Sequence, residues 1–490
     1  MKKSTSLLVL ALLCSILSLA DTSTTMVGIG QTRQMTLSEL IGKGLPVMYV
    51  ETVDRVEPTC DTVYAPAGCW GATINSDKVP GRLVMYNRIA GIDSVLYDSG
   101  DYEKNVSGMT IKVRGNTSAT SEAKKPYKIK LQKKRDLLFR GVDSVYKDKD
   151  WVLLKDPYLL TNTAFRVSEM VGMTWVPGHR YVNVVINDVY QGIYLLTESV
   201  ERNPDCRINV DKNSGFIFEC DLYWWNEDIY VLSNERPSYN YTFKYPDNDD
   251  ITEEQLAYAQ QMVRDYEASL TKSNYPDLID VSSFAAWCLV HDIEGTKDGG
   301  GCNRYYSKYD TTAESKIMMP VAWDFDLAER TPGQWSRIHQ VYMKKLFDNA
   351  NRAYVWEYIR RWCLMRDTYL ADVQSYYSKF VNSPEGQALQ TCYHLDNEAW
   401  NTDHWFQNQA TFRRQWLQNR FAWLDANIMA MHVPNDVNID GVVNITDVTT
   451  LIGMVLGDGE PVMVTGDING DETVNITDIT ELISLLLASI

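Results

Sequence analysis

Beyond residue 20 the sequence has no run of roughly 18 consecutive apolar residues, the length a helix needs to cross a bilayer. No membrane span is therefore expected after that point. Positive charge is also scarce. Lys and Arg number 47 against 64 Asp and Glu, a formal charge of −17. A surface of that sign argues against nucleic-acid binding, which needs basic groups on phosphates. The deficit is greatest at the end, where residues 434–490 hold ten acidic residues and no Lys or Arg. Such a segment is a cation site or a solvating tail.

Met1-Lys2-Lys3 is followed by an almost unbroken apolar run from Leu7 to Leu19, with small residues before Asp21. That is the pattern of a secretory signal peptide over residues 1–20, and a secreted, extracellular or surface-associated protein is expected. The sequence has nine cysteines. Loss of Cys14 with the leader leaves an even number, which in an exported chain permits disulfides. Cys60 with Cys69 and Cys206 with Cys220 are the close pairs, and the first is expected to be bonded. Cys288 and Cys363 sit in apolar, helix-like stretches.

The acidic tail is a repeat. Asp436, Asn438, Asp440, Asn444 and Asp447 fall at positions 1, 3, 5, 9 and 12 of a loop, and Asp467, Asn469, Asp471, Asn475 and Asp478 repeat them. Oxygen ligands at those offsets suit calcium in an EF-hand-like loop. After each loop the apolar residues recur at helical spacing, with no matching helix in front. The duplicated pair resembles the type I dockerin, over residues 434–490. The resemblance implies Ca2+ and a cohesin-like partner, met by Ile445-Thr446 and Ile476-Thr477 at positions 10 and 11.

The body carries a second order of motifs. Residues 21–110 hold short β-rich stretches parted by Gly, Pro and Asp turns. In Tyr127-Lys128-Ile129-Lys130-Leu131 the alternation puts both lysines on one face of a strand. A helix-like stretch with Glu169 follows, then a hairpin across Asn187-Asp188 that ends at Thr197-Glu198. A strand Lys, a helix Glu, a hairpin and a polar hinge follow one another as in a kinase N-lobe, where Lys binds nucleotide phosphates and pairs with the Glu. Val281 to Glu294 reads as a helix, and Asp298 and Asn303 after it have the spacing of a kinase catalytic loop. The apolar strand Met318 to Ala322 then leads into Trp323-Asp324-Phe325-Asp326, whose carboxylates suit a magnesium site. From Trp335 to Ile428 the pattern is helical and rich in aromatics, which are expected to form core.

These motifs, with Arg114-Gly115-Asn116, Lys125-Pro126-Tyr127-Lys128 and Asp150-Trp151-Val152-Leu153-Leu154, closely resemble the CotH family of spore-coat-type atypical protein kinases, over roughly residues 45–430. The resemblance implies an α+β, two-lobed kinase-like fold: an N-lobe over 111–200, a C-lobe over 201–430 and the dockerin over 431–490. It implies ATP with Mg2+ or Mn2+, and phosphoryl transfer to Ser or Thr of secreted or surface proteins. Asp298 is then the catalytic Asp, Asn303 and Asp324 metal ligands and Asp326 a second carboxylate. Either Lys128 or Lys130 binds phosphate, with Glu169 as partner and Glu198 near the adenine. The dockerin adds targeting to a surface or cellulosome-like, polysaccharide-degrading complex. A non-catalytic surface or adhesion scaffold is the alternative, because a fold does not fix a function. A carbohydrate-active hydrolase comes third, since no glycosidase motif pairs its carboxylates.

Overall fold

The computed structural model describes residues 26–27, 34–141, 144–296, 303–326, 332–336, 341–457 and 462–488. The leader expected over 1–20, Asp298 and Cys302 lie outside the described residues. The fold is mixed, 39% helix and 23% strand, and divides into two units: residues 1–162, 177–207 and 376–413, and residues 163–176, 208–375 and 414–490. The strands used below are β1 (Val47–Thr52), β2 (Val79–Ile89), β3 (Ile92–Asp98), β4 (Met109–Val113), β5 (Tyr127–Arg135), β6 (Asp148–Leu154), β7 (His179–Ile186), β8 (Val189–Glu198), β9 (Phe216–Asp221), β10 (Tyr230–Val231), β11 (Asn240–Tyr245), β12 (Arg304–Lys308) and β13 (Ile317–Met318). The helices are α1 (Leu160–Val171), α2 (Glu253–Ser269), α3 (Val281–Glu294), α4 (Ala353–Asn382), α5 (Pro384–Trp400), α6 (Phe406–Met429), α7 (Ile445–Leu456) and α8 (Ile476–Ala488). Among the described residues no helix is long and apolar enough to cross a membrane.

In the first unit the period-two pattern of the strands turns alternate residues inward. Ile129 and Leu131 of β5, Trp151 and Leu153 of β6 and Tyr194 and Leu196 of β8 share one core with Met48, Val50 and Leu83. The strands run β1-β7-β8-β6-β5-β4-β2, and β1 also pairs with β2, so the sheet closes into a seven-stranded barrel-like ring with β3 as a hairpin arm. Strands from 47–113 pair with β7 and with β5, on the two sides of the sheet that 111–200 contributes. The β7–β8 turn is as expected: Asn187 and Asp188 have φ of 49° and 68°, the geometry of a type I′ hairpin. Its side chains tie it to β1, with Asn187 Oδ1 accepting from Thr52 N at 2.9 Å.

Helix α5 covers the outside of β1, β7 and β8 through Leu395 and Ala399. Its Asp396 accepts from Lys124 Nζ at 2.5 Å and from Ile193 N at 2.7 Å. Gly192 has φ of 95°, and a Cβ there would fall on the Asp396 carboxylate and 3.0 Å from Trp400 Nε1. Gly192→Ala is expected to lower stability by roughly 1–3 kcal/mol from backbone strain alone, with more from the displaced carboxylate. Urea unfolding of the two proteins tests this, and equal midpoints would contradict it.

The second unit holds an antiparallel sheet in the order β10-β11-β9-β12-β13. Helix α3 is capped by Asp280, whose side chain accepts from Ser283 N, and ends on left-handed Gly295. All its residues from Ser283 to Glu294 are buried, which is why its sequence is apolar on nearly every side. Arg366 pairs with Asp425 at 2.6 Å, joining α4 to α6. Trp362 and Trp416 are buried as expected of core aromatics, whereas Trp405 is 67% exposed. At the end of the chain α7 and α8 pack through Val448, Leu451 and Leu482.

The expected Cys60–Cys69 disulfide is absent: Cys60 and Cys69, like the other close pair Cys206 and Cys220, are free thiols. Cys60 precedes the strand Asp61–Tyr64, and Cys69 sits in the loop beyond its far end, before Ala72–Asn75. Four strand residues span roughly 13 Å, too far for a disulfide, whose Cα atoms lie within about 7 Å. Cys220 is buried in β9 and accepts from Arg304 Nη2 at 2.9 Å. Both Cys60 and Cys69 are expected to alkylate without reductant, and a peptide map that recovered them linked would overturn this.

Candidate functional site

The second unit positions the expected metal ligands through one ladder. Strand β12 pairs with β13, and beyond it Arg304 bridges Ala322, so Asn303 and the Trp323-Asp324 step leave neighbouring strands at the same end. Both ligand residues have left-handed backbones, φ 61° for Asn303 and 65° for Asp324. Non-glycine residues rarely adopt that conformation, and it clusters where function demands it. Burial holds Asp324 in place from either side: Trp323 is 3% exposed near Phe165, and Phe325 is fully buried and stacked on His291. Asp324 is half-buried and Asp326 exposed. An amide oxygen and two carboxylates are hard donors that fit magnesium.

Around Asn303 lies a group that the sequence did not single out. Glu219 of β9 accepts from Asn303 N at 3.2 Å and pairs with Lys244 of β11 at 3.0 Å. Burial opposes the charge on Lys244, but Glu219 raises its pKa above the usual lysine value. Asp221, two residues along β9, is pushed up to about 7 by burial and then by the Glu219 charge. Asp298 itself lies outside the described residues.

In the first unit Lys128 and Lys130 do share a face. Both reach Asp150 of β6, at 3.3 and 3.7 Å, and Lys128 also pairs with Glu201 at 2.6 Å. Burial opposes the Lys128 charge, and Glu201 and Asp150 more than offset it. Glu201 is thus a partner of Lys128 that the sequence did not single out. Glu169 is on an exposed side of α1, held by Arg166 at 2.8 Å. Glu198 is 1% exposed, with one oxygen accepting from Arg140 at 2.7 Å and the other from Gly178 N at 2.8 Å. Glu201 lies just past the end of β8, where strand alternation no longer predicts a direction.

In the acidic tail the two loops fold alike. Asp436 accepts from Asp440 N and Gly441 N, and Asp447 accepts from Val437, Asn438 and Asn444 N. Asp467 and Asp478 repeat these bonds. Asp436, Asp447 and Asp478 are fully buried in a segment without basic residues. Burial, and the charges of Asp447 and Asp440 beyond it, raise the Asp436 pKa. Buried carboxylates without a basic partner call for a bound cation. Among the described residues no three His, Cys, Asp or Glu side chains form a metal cluster. Ile445 and Ile476, at position 10 of each loop, are 68% and 70% exposed.

A family model described as CotH kinase protein matches residues 111–424, more than half of the chain. The chain belongs to the CotH kinase family. A type I dockerin domain follows at residues 434–487. No curated protein matches the chain significantly. The CotH kinase region therefore takes in the Lys128 face and the Asn303–Asp324 ladder end, while the dockerin accounts for the paired loops. Dockerin domains bind cohesin domains.

Asp221 gives this CotH kinase region a pH signature. Its folded pKa is raised, so the stability linked to its protonation is complete below the ordinary carboxylate value of about 3.9 and is lost as pH rises toward about 7. Asp221→Asn is expected to gain on the wild type as pH climbs through that window. Urea midpoints at both ends measure it, and a difference constant with pH would sink it.

Proposed function

We propose that this CotH kinase protein is an active, secreted Ser/Thr kinase, which its dockerin carries to a cohesin-bearing, cellulosome-type complex to phosphorylate secreted or surface proteins. The two-lobed arrangement of kinases is part of this reading. The observation that carries it is the pairing of Asn303 and Asp324 at one ladder end, both with left-handed backbones. A divalent metal with ATP would supply a γ-phosphoryl group whose charge is already partly neutralised. Asn303 and Asp324 would hold that metal, with Asp326 as a further carboxylate. Lys128, kept protonated by Glu201 and Asp150, offers its ammonium to phosphate oxygens, and Lys130 stands beside it. Asp298 would take the proton of the acceptor hydroxyl as its oxygen bonds to the γ-phosphorus and the bond to the departing ADP breaks.

The test is transfer from γ-labelled ATP, with Mg2+ or Mn2+, to co-secreted proteins. Asp298→Ala is expected to cut transfer by on the order of 10² to 10⁴ with nucleotide binding kept, whereas Asp324→Ala is expected to weaken metal-dependent nucleotide binding itself. Melting with and without MgATP separates the two. Full transfer by Asp298→Ala would remove the catalytic-loop assignment, and a wild type that bound no nucleotide would leave a scaffold.

A further inference from the structure

The two calcium loops share a ligand pattern but not surroundings. In the first, Asp436, Val437 and Ile439 are all buried, whereas their counterparts Asp467 and Ile468 are half-buried and Gly470 is exposed. Val437 is held by the module's own small core, while the turn of the loop meets the kinase region. The indole of Trp356, on α4, lies against Gly441, so that a Cβ there would sit 2.6 Å from Cε2 and 2.9 Å from Nε1. A second anchor is His432, whose ring Nε2 donates to the Asp436 carbonyl at 2.8 Å. Position 6 of the loop shows the difference directly. The seated loop has Gly441 with φ 89°, while the second loop keeps the same left-handed turn with exposed Glu472 at φ 64°. The turn alone therefore accepts a side chain, and the glycine of the first loop meets the demand of the indole.

We infer that Trp356 is the seat of the first calcium loop, so that calcium filling of that loop is coupled to the kinase region while the second loop binds independently. A loop held at its turn has fewer conformations to lose on taking up an ion, so the first site binds calcium more tightly than the same loop without its seat. Linkage is reciprocal: calcium in the first loop stabilises the region that carries Trp356. This rests on calcium filling the dockerin loops and does not depend on kinase activity.

The sequence provides a clean probe. Residues 434–490 contain no Trp, Tyr or Phe, and all 14 tryptophans lie before them. Calcium added to the full-length, calcium-stripped protein is expected to change tryptophan emission through Trp356. Trp356→Phe, which keeps an aromatic ring, should lose that change, Asp436→Ala should lose it too, and Asp467→Ala should keep it. Calorimetric titration with CaCl2 should show two sites, with Trp356→Ala weakening one by roughly five-fold or more and leaving the other within about two-fold. An emission change that survives Trp356→Phe, or two sites equally indifferent to Trp356→Ala, would overturn the coupling alone. A wild type that takes up no calcium would overturn both the coupling and the calcium reading of the dockerin.

Discussion

Strand β1 is hydrogen-bonded along both edges, antiparallel to β2 and parallel to β7, and that double pairing closes the sheet of the first unit. A closed sheet has no free edge to protect, and its strands are fixed in register by their neighbours on each side. The register in turn sets the face on which Lys128, Lys130 and Asp150 meet, since Lys130 stands opposite Asp150 and Lys128 opposite Val152. A slip of one residue would turn both lysines into the core and Ile129 and Leu131 out of it. The charged cluster on the outer face is therefore a consequence of how the apolar interior is packed.

In the second unit the order of dependence is similar. The ladder of β12 with β13 brings Asn303 and Asp324 to a common end, and buried rings on either side of Asp324 resist any relaxation of its left-handed backbone. Helix α3 is immobilised by burial and by its Gly295 cap. Arg420 reinforces it by donating to the Asp292 carbonyl at 2.7 Å. The packing of large aromatics thus does the positioning, and the polar groups at the ladder end need little flexibility of their own.

The dockerin works by a different balance. Its apolar core is small, with Val437, Val448, Leu451 and Leu482 buried, and three of its carboxylates are buried without basic neighbours. So small a core yields limited stability, and the calcium binding that a dockerin implies is folding energy in modules of this kind. Contact with Trp356 gives the first loop a support that the second lacks.

Local chemistry made much of this protein legible in its sequence. Period-two alternation gave the shared face of Lys128 and Lys130, turn preference gave the Asn187-Asp188 hairpin, and the helical pattern from Val281 to Glu294 gave α3 at its observed bounds. Ligand spacing within twelve residues gave the calcium loops, because every donor there is set by its own short turn. Partnerships between distant segments were not legible. Glu201 beside Lys128, Glu219 at Asn303, Glu198 held by Arg140, Cys60 and Cys69 parted by a strand and the closure of the barrel through β1 all depend on strand order and register. Those are decided by which apolar surfaces fill the core together, a sum over the whole chain that no local pattern carries.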